Sequence, residues 1–179
     1  MKALNKFFII LMLISTNIIY AQHTFNDLQL RGELYFLKDS DKPFTGEIIE
    51  NYSNGKKHFI VNYKDGKLDG SFLEWYENGR QKSKGSYKNN RLNGILTKWL
   101  ENGQKRFIKH YKNGKLDGQA MQWHLNGQKY YIKNYKNDML DGEVSEWYNN
   151  GQLKYQWHYK AGKIIGKRTI YDEKGKQIK

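Results

Sequence analysis

The sequence contains no cysteine among its 179 residues. That absence excludes disulfide bonds, iron–sulfur clusters, thiolate zinc sites, a cysteine nucleophile and a lipidated N-terminal cysteine. Proline occurs once, at Pro43, and acids are scarce, because 18 Asp and Glu face 31 Lys and Arg for a formal charge of +13. Hydrophobic residues make up only 38% of the chain and the mean hydropathy is −0.91, so little apolar material is available for a thick core.

The N-terminal residues have the pattern of a secretory signal. Lys2 and Lys6 provide a positive start, an apolar stretch follows over Phe7–Tyr20, and Ala21 is a small residue suited to cleavage. The alternative is a retained membrane anchor, but Phe7–Tyr20 is shorter than the about 20 residues that span a bilayer. We therefore expect a signal peptide over residues 1–21, cleavage near Ala21, and export to the periplasm or the extracellular space.

A period of 24 residues organises the rest of the sequence. Tyrosine, always followed by lysine, recurs at Tyr63, Tyr87, Tyr111, Tyr135 and Tyr159. Tryptophan recurs at Trp75, Trp99, Trp123 and Trp147, with Tyr171 in the next slot. Glycine fills two columns, one at Gly46, Gly70, Gly94, Gly118, Gly142 and Gly166 and the other at Gly55, Gly79, Gly103, Gly127, Gly151 and Gly175. A fixed period of this length indicates stacked supersecondary units.

Two sets of turn signals divide each unit into a pair of strands. The first set is Asn-Gly, at 54–55, 78–79, 102–103, 126–127 and 150–151, and both residues of such a pair tolerate the positive φ of a tight hairpin turn. The second set follows each Tyr-Lys pair, at 65–66, 89–90, 113–114, 137–138 and 161–162. No helical period is visible. The sequence therefore predicts an all-β fold, a single-layer antiparallel meander of stacked β-hairpin repeats with about six copies.

The chain divides into three expected parts. Residues 1–21 are the signal peptide, residues 22–43 are a lead-in strand or cap, and residues 44–179 are the repeat array. The copies are placed near 44–62, 63–86, 87–110, 111–134, 135–158 and 159–179.

We expect the sheet to have one aromatic face and one more polar face, because alternate residues of a strand point to opposite sides. On the returning strands, Phe59, Val61 and Tyr63 and their equivalents fall on one side. We place the tryptophan column on that same side, with neighbours such as Leu73 and Met121. This interpretation gives one aromatic ladder across the hairpins, with cross-strand aromatic pairs contributing about 0.2–1 kcal/mol each.

The repeat unit resembles a known family. Its best copy reads Tyr-Lys-Asn-Gly-Lys-Leu-Asp-Gly over 111–118, followed by Trp-His-Leu-Asn-Gly-Gln over 123–128. This pattern is similar to the MORN repeat, and more closely to its bacterial variant form, over nearly all of 44–179. The stretch from Glu33 to Gly46 resembles the start of exported members that are often labelled antitoxin components. The resemblance implies a curved β-hairpin array used for protein association, with lipid contact proposed for some relatives, and it carries no catalytic residues.

No catalytic or metal-binding constellation stands out. His110 and His158 share a column but lie two repeats apart, about 19 Å, which is too far to share a zinc ion. Asp69, Asp117 and Asp141 each precede glycine, where we expect the carboxylate to bond its own backbone in a turn. The sequence holds neither a nucleophile elbow nor a Walker phosphate loop. We therefore expect no enzyme activity, no cofactor and no metal.

Two candidate surfaces remain. The candidate partner surface consists of the aromatic residues Trp75, Trp99, Trp123, Trp147, Tyr87, Tyr111, Tyr135 and Tyr159. The lysine rim consists of Lys64, Lys88, Lys112, Lys136 and Lys160, beside turns. The alternatives are that the aromatic residues form only the stacking spine of the sheet, and that the lysines only protect edges and maintain solubility.

The sequence favours an exported, non-enzymatic scaffold that binds a protein partner, or itself, through the aromatic face. The alternative is a peripheral binder of anionic lipid or acidic glycan at the cell envelope, acting through the lysine rim. A further alternative, an antitoxin or immunity partner of a toxin, rests on the resemblance alone. Nucleic acid is not expected as a partner, because the protein is expected to be exported.

Overall fold

The computed structural model describes residues 22–178, so the expected signal peptide lies outside the described residues. The described chain forms a short 3-10 helix at Phe25–Asp27 and fourteen β-strands. The strands are β1 (Leu28–Arg31), β2 (Leu34–Leu37), β3 (Gly46–Asn51), β4 (Lys57–Lys64), β5 (Lys67–Trp75), β6 (Gln81–Lys88), β7 (Arg91–Leu92), β8 (Gly94–Trp99), β9 (Lys105–Lys112), β10 (Lys115–Trp123), β11 (Lys129–Lys136), β12 (Met139–Trp147), β13 (Leu153–Lys160) and β14 (Lys163–Ile170).

Twelve of these strands form one antiparallel sheet in which neighbours along the chain are neighbours in space. The order runs from β3 to β6 and then from β8 to β14 without a crossover, and the short β7 pairs with β6 beside β8. The expected all-β, single-layer meander of hairpin repeats is thus confirmed. β1 and β2 form a separate two-stranded hairpin, and its side chains pack on one face of the first repeats.

The turns after each Tyr-Lys pair are two-residue hairpin turns in which both central residues have positive φ. Asp65 and Gly66 have φ of 48° and 76°, and Asn137 and Asp138 have φ of 48° and 68°. Turns of this type I′ geometry match the twist of the flanking strands, and Asn, Asp and Gly enter the left-handed region most readily. The second set of turn signals therefore has the backbone role that its residue types indicate.

The Asn-Gly turns differ from the expectation, because only their glycine has positive φ. Gly55 has φ of 79°, and its N–H donates to the Tyr52 carbonyl at 2.9 Å. Asn54 uses its Oδ1 to accept the N–H of Lys56 at 3.0 Å, while its Nδ2 donates to Glu77 of the next copy at 3.4 Å. The loop is therefore the three-residue kind that ends in a glycine bulge. Asparagine serves here through two side-chain hydrogen bonds rather than through backbone freedom.

The first glycine column lies inside strands, at a bulge, and not in turns. Gly70 has φ of 112°, and a Cβ there would lie 3.0 Å from the Cβ of Asn62 on the neighbouring strand. The Asn62 amide uses this space to donate to the Ser71 carbonyl at 2.9 Å, across the irregularity in the strand register. His110 acts in the same way two copies later, with Nδ1–H donating to the Gln119 carbonyl at 2.6 Å.

The main core lies between the β1–β2 hairpin and the first copies of the sheet. It is formed by Leu28, Phe44, Ile48, Val61, Tyr63, Phe72 and Leu96, which are all buried. Tyr35 of β2 packs edge-on against Tyr63, with ring centroids 5.4 Å apart, and its N–H donates to the Gly66 carbonyl at 2.9 Å. Farther along the described sheet, the buried hydrophobic positions are Ala120 and Val144. The core therefore thins from the N-terminal end of the array onward.

Candidate binding surfaces

The tyrosine and tryptophan columns lie on opposite faces of the sheet, which corrects the single aromatic ladder expected from the sequence. Val61 pairs with Phe72, and Leu73 pairs with Ile60, and residues paired across two strands share a face. Alternation along β5 then places Trp75 on the face of Leu73, away from Val61 and the tyrosines. The face on which a side chain lies depends on strand register, and the bulge in each hairpin sets that register.

We call these surfaces the Tyr face and the Trp face. The Tyr face is defined by Tyr63, Tyr87, Tyr111, Tyr135 and Tyr159, and the Trp face by Trp75, Trp99, Trp123 and Trp147. Tyr63 is only 6% exposed, next to the β1–β2 hairpin, whereas the other four tyrosines and all four tryptophans are half-buried. The members of the candidate partner surface are therefore accessible, but they form two separate surfaces.

One register position on the Tyr face is basic only in the middle of the array. In successive returning strands it holds Val61, Gly85, Lys109, Lys133 and Trp157. The Lys109 Nζ lies 4.8 Å from the ring centroid of Phe107, and the Lys133 Nζ lies 4.4 Å from that of Tyr131. These distances are those of cation–π contacts. The middle of the Tyr face therefore combines aromatic rings with positive charge.

A buried carboxylate lies on the Tyr face farther along the array. Glu146 is 8% exposed and accepts hydrogen bonds from the Tyr155 hydroxyl at 2.8 Å and from Lys154 Nζ at 3.1 Å. Burial, and then the hydrogen bond to Glu146, raises the pKa of Tyr155 well above its ordinary value. The negative charge of Glu146 is thus already paired within the fold.

Side chains next to the Asn-Gly turns link each copy to the next through hydrogen bonds of 2.7 to 3.0 Å. The donors are Tyr52, Tyr76, His124 and Tyr148, and the acceptors are the carbonyls of Trp75, Trp99, Trp147 and Tyr171. The third copy has Leu100 at this position, which carries no donor group. Sequence reasoning missed this ladder. Its one signal was a column in which tyrosine is replaced by histidine, a residue that can also donate.

Each lysine of the rim directly precedes a type I′ turn, and two of these lysines pair with carboxylates of the preceding copy. Lys136 Nζ lies 3.1 Å from Asp117, and Lys160 Nζ lies 3.1 Å from Asp141. Asp141 also accepts the N–H of Ala161 at 3.2 Å. The Lys136 hydrogen bond lowers the pKa of Asp117, and the Ala161 N–H and then Lys160 lower that of Asp141. The expectation that these aspartates bond their own turn is wrong, since they bond the turn of the following copy.

Clefts lined by cations open along the lysine rim. One, of about 970 Å³, lies beside the β1–β2 hairpin and is lined by residues that include Tyr35, Leu68, Lys67, Lys88 and Arg91. Another, of about 380 Å³, is lined by Arg91, Lys112, Asn113, Lys115, Asp117, Lys136 and Asn137. Each cleft therefore offers several ammonium or guanidinium groups to an anion.

Within residues 22–178, no group of three or more His, Asp or Glu side chains is arranged to hold a metal ion. His110 and His124 bond main-chain carbonyls, so each takes part in holding the sheet together. The same part of the chain contains no helix of the length and apolarity that a membrane crossing requires.

The hairpin period of the sheet coincides with that of a family model. The model, described as MORN repeat variant, matches residues 44–65, 68–89, 92–113, 116–137 and 140–161. The chain belongs to the MORN repeat variant family. Each MORN match covers an outgoing strand, an Asn-Gly turn and the returning strand, and ends at the first residue of a type I′ turn, so the family repeat is one hairpin of the sheet. The MORN assignment identifies a repeat protein involved in binding.

One solved structure similar to this MORN chain is the crystal structure of accessory secretory protein 1, 2 and 3 in Streptococcus pneumoniae. The two chains are 13% identical, and the match covers 69% of this chain and 21% of that chain with a TM-score of 0.31. A likeness of this size carries no conclusion about function. The comparison with curated proteins gave no match.

Proposed function

We propose that this MORN-variant protein is an exported, non-enzymatic scaffold that binds a partner protein through the Tyr face. The observation that carries the proposal is the row of half-buried aromatic rings beyond Tyr63, on a sheet one layer thick. Aromatic residues dominate the energetics of protein interfaces, and contiguous exposed apolar patches usually mark contact sites. The β1–β2 hairpin covers the start of this face with its own side chains, and this packing of polypeptide on the same face supports the proposal.

A non-catalytic role is supported by how the polar side chains are used. His110, Asp117 and Asp141 each hydrogen-bond to a neighbouring strand or turn of the array. Catalysis needs unlike groups that converge on one reacting atom, whereas these groups recur at a fixed period along the sheet. Their arrangement serves the stacking of the copies.

The test is capture from envelope extract of the native cells with the purified protein as bait, at low and high salt. We expect one protein to be retained at high salt, and to bind again when both proteins are purified. Tyr131→Ala should weaken that binding, and Met121→Ala, on the other face of the neighbouring strand, should not. Circular dichroism checks that both variants fold. A protein that stays monomeric and retains no partner would disprove the scaffold function, and self-association would identify the partner as a second copy.

The rim clefts favour a second candidate, a peripheral binder of anionic envelope surface. Lys88, Arg91 and Lys112 line these clefts, and such contacts weaken as salt screens them. Co-sedimentation with vesicles that contain anionic lipid, at low and high salt, tests this function. Binding that is lost in the variant Lys88→Gln/Lys112→Gln supports it, and no binding at low salt removes it.

Export and an antitoxin role remain proposals with tests of their own. N-terminal sequencing of the protein from the native cells should find a chain that begins at Gln22. A toxin encoded beside this protein, and protection against it by this protein alone, would support the antitoxin role.

A further inference from the structure

We propose that the middle of the Tyr face binds an acidic segment of a partner protein, with carboxylates placed against Lys109 and Lys133. The inference rests on the proposed scaffold function and names the chemistry of its partner. It follows from the position of these two lysines, from the rings that hold them, and from what covers the same face nearer the N-terminus.

The two lysines flank one buried alanine. Ala120 of β10 pairs with Lys109 of β9 on one side and with Lys133 of β11 on the other, so all three lie on one face. Ala120 is 1% exposed and carries a short side chain, so the centre of this surface is low between two long basic side chains. The two lysine Cα atoms are two strand spacings apart, about 9.6 Å. Alternate residues of an extended chain point to the same side about 6.6 Å apart, so two acidic side chains two positions apart can each reach one of these two long lysine side chains.

Aromatic rings hold both ammonium groups in place. Lys109 lies over Phe107 and Lys133 over Tyr131, and both lysines are half-buried rather than extended into solvent. Lys98 adds a third ammonium 6.0 Å from the Phe107 ring centroid. Side chains ordered before binding lose less conformational entropy when a partner arrives. The rings beside them offer apolar contact to the same partner.

The carboxylate nearest to this surface in the repeat pattern, that of Glu146, is already bound to other side chains of the fold. Glu146 occupies the Tyr face one hairpin farther on, and it is paired with Lys154 and the Tyr155 hydroxyl. In the second copy, Glu74 is likewise paired, with Lys82 Nζ at 2.8 Å. The equivalent positions between these two copies hold Lys98 and Gln122 instead of Glu, so the middle of the face carries uncompensated positive charge.

The chain's own N-terminal segment already packs on part of this face. Tyr35 packs on Tyr63, and Phe25 packs on Phe59 with ring centroids 5.8 Å apart, so polypeptide covers the Tyr face of the first repeats. There the central register position is Val61, an apolar residue, and the segment that packs over it is also apolar. In the third and fourth copies that position is lysine, so a polypeptide bound farther along the same face must present acid.

The probe is a fluorescein-labelled peptide of alternating glutamate and tyrosine, titrated with the full protein at fixed salt and read by fluorescence anisotropy. A matched peptide with lysine in place of glutamate is the ligand control. We expect the acidic peptide alone to bind, and Lys109→Gln/Lys133→Gln to weaken it by about tenfold. Lys109→Arg/Lys133→Arg should retain binding, which separates lost charge from a damaged fold.

The protein supplies a matched control pair on the same two strands. Lys105 and Lys129 pair with Trp99 and Trp123, and so lie on the Trp face, four residues before Lys109 and Lys133. Lys105→Gln/Lys129→Gln removes the same net charge and should change the affinity by less than about twofold.

Three outcomes would overturn the inference. Equal losses in the two glutamine pairs would show general attraction to a basic protein. Tighter binding of polygalacturonate than of the peptide, through the same two lysines, would assign the site to an acidic glycan. No binding of the acidic peptide by the wild-type protein would rule out an acidic segment as the ligand of this surface. If the captured partner then binds Lys109→Gln/Lys133→Gln normally, the scaffold function stands without it.

Discussion

The hydrogen-bond ladder next to the Asn-Gly turns allows a quantitative prediction about how one copy holds the next. The hydroxyl of Tyr76 donates to the Trp99 carbonyl at 2.8 Å, and Tyr76→Phe removes this hydroxyl while keeping the ring. A neutral hydrogen bond of this kind contributes about 0.5–1.5 kcal/mol to folding. In a repeat array, stability is approximately the sum of copies and the contacts between adjacent copies, so the loss should appear in full. We expect the melting temperature to fall by about 2–4 °C for each kcal/mol lost.

The reverse substitution is available in the same column. Leu100 stands where Tyr76 and Tyr148 stand in other copies, and nearby Asn102 donates to Gln104 of its own turn instead of to the following copy. Leu100→Tyr supplies a hydroxyl positioned to reach the Trp123 carbonyl, and we expect a gain of up to about 1 kcal/mol.

Thermal unfolding gives the global effect, and amide hydrogen exchange gives the local one. In the wild-type protein we expect the fastest exchange within the array near Leu100, and Leu100→Tyr should slow it there. An unchanged melting temperature in Tyr76→Phe, or no gain in Leu100→Tyr, would refute the idea that these hydrogen bonds couple the copies.

Three further predictions concern packing and pH. Gly85→Val places a Cβ 2.7 Å from Cε1 of Phe72, and such overpacking should cost about 1–3 kcal/mol, measured by urea unfolding. Burial raises the pKa of Tyr63 to about 12 from 10.0. The stability that comes from keeping this phenol neutral is present below pH 10.0 and is lost as the pH rises through about 12. Alkaline unfolding should therefore coincide with the rise in tyrosinate absorbance, and Tyr63→Phe should lose less stability over this pH range than the wild-type protein. The pKa of Asp141 is lowered from 3.8, so its contribution is present above pH 3.8 and is lost as the pH falls further. Asp141→Asn should therefore flatten the decline of stability in acid, and equal declines in both proteins would contradict the Ala161 contact.

Several features of the array were predictable from residue types and spacing. The hairpin meander follows from the period and from the turn residues, since Asp65-Gly66 and Asn137-Asp138 have few alternatives to a tight turn. The lysine rim follows too, because a residue that precedes each such turn must lie along one edge of the sheet. The family resemblance came from the same positions, and the match over 44–161 agrees with it.

Other features depended on contacts between copies. Asp141 looks like a turn residue of its own copy, yet it bonds Ala161 in the next. Asn54 looks like a source of positive φ, yet it serves through its side chain. In both cases the sequence signal was local, while one partner, Ala161 for Asp141 and Glu77 for Asn54, lies about 20 residues away and becomes adjacent only when the sheet forms.

By itself the sequence determined the strand order, the turn positions and the single-layer β architecture, because each of these depends on residues close together in the chain. Only the tertiary structure decided which face carries which aromatic column, and that Lys109 and Lys133 meet on either side of Ala120. The physical reason is strand register. A bulge such as that between Glu74 and Trp75 shifts the pairing by one residue, and such a shift moves a side chain from one face of the sheet to the other.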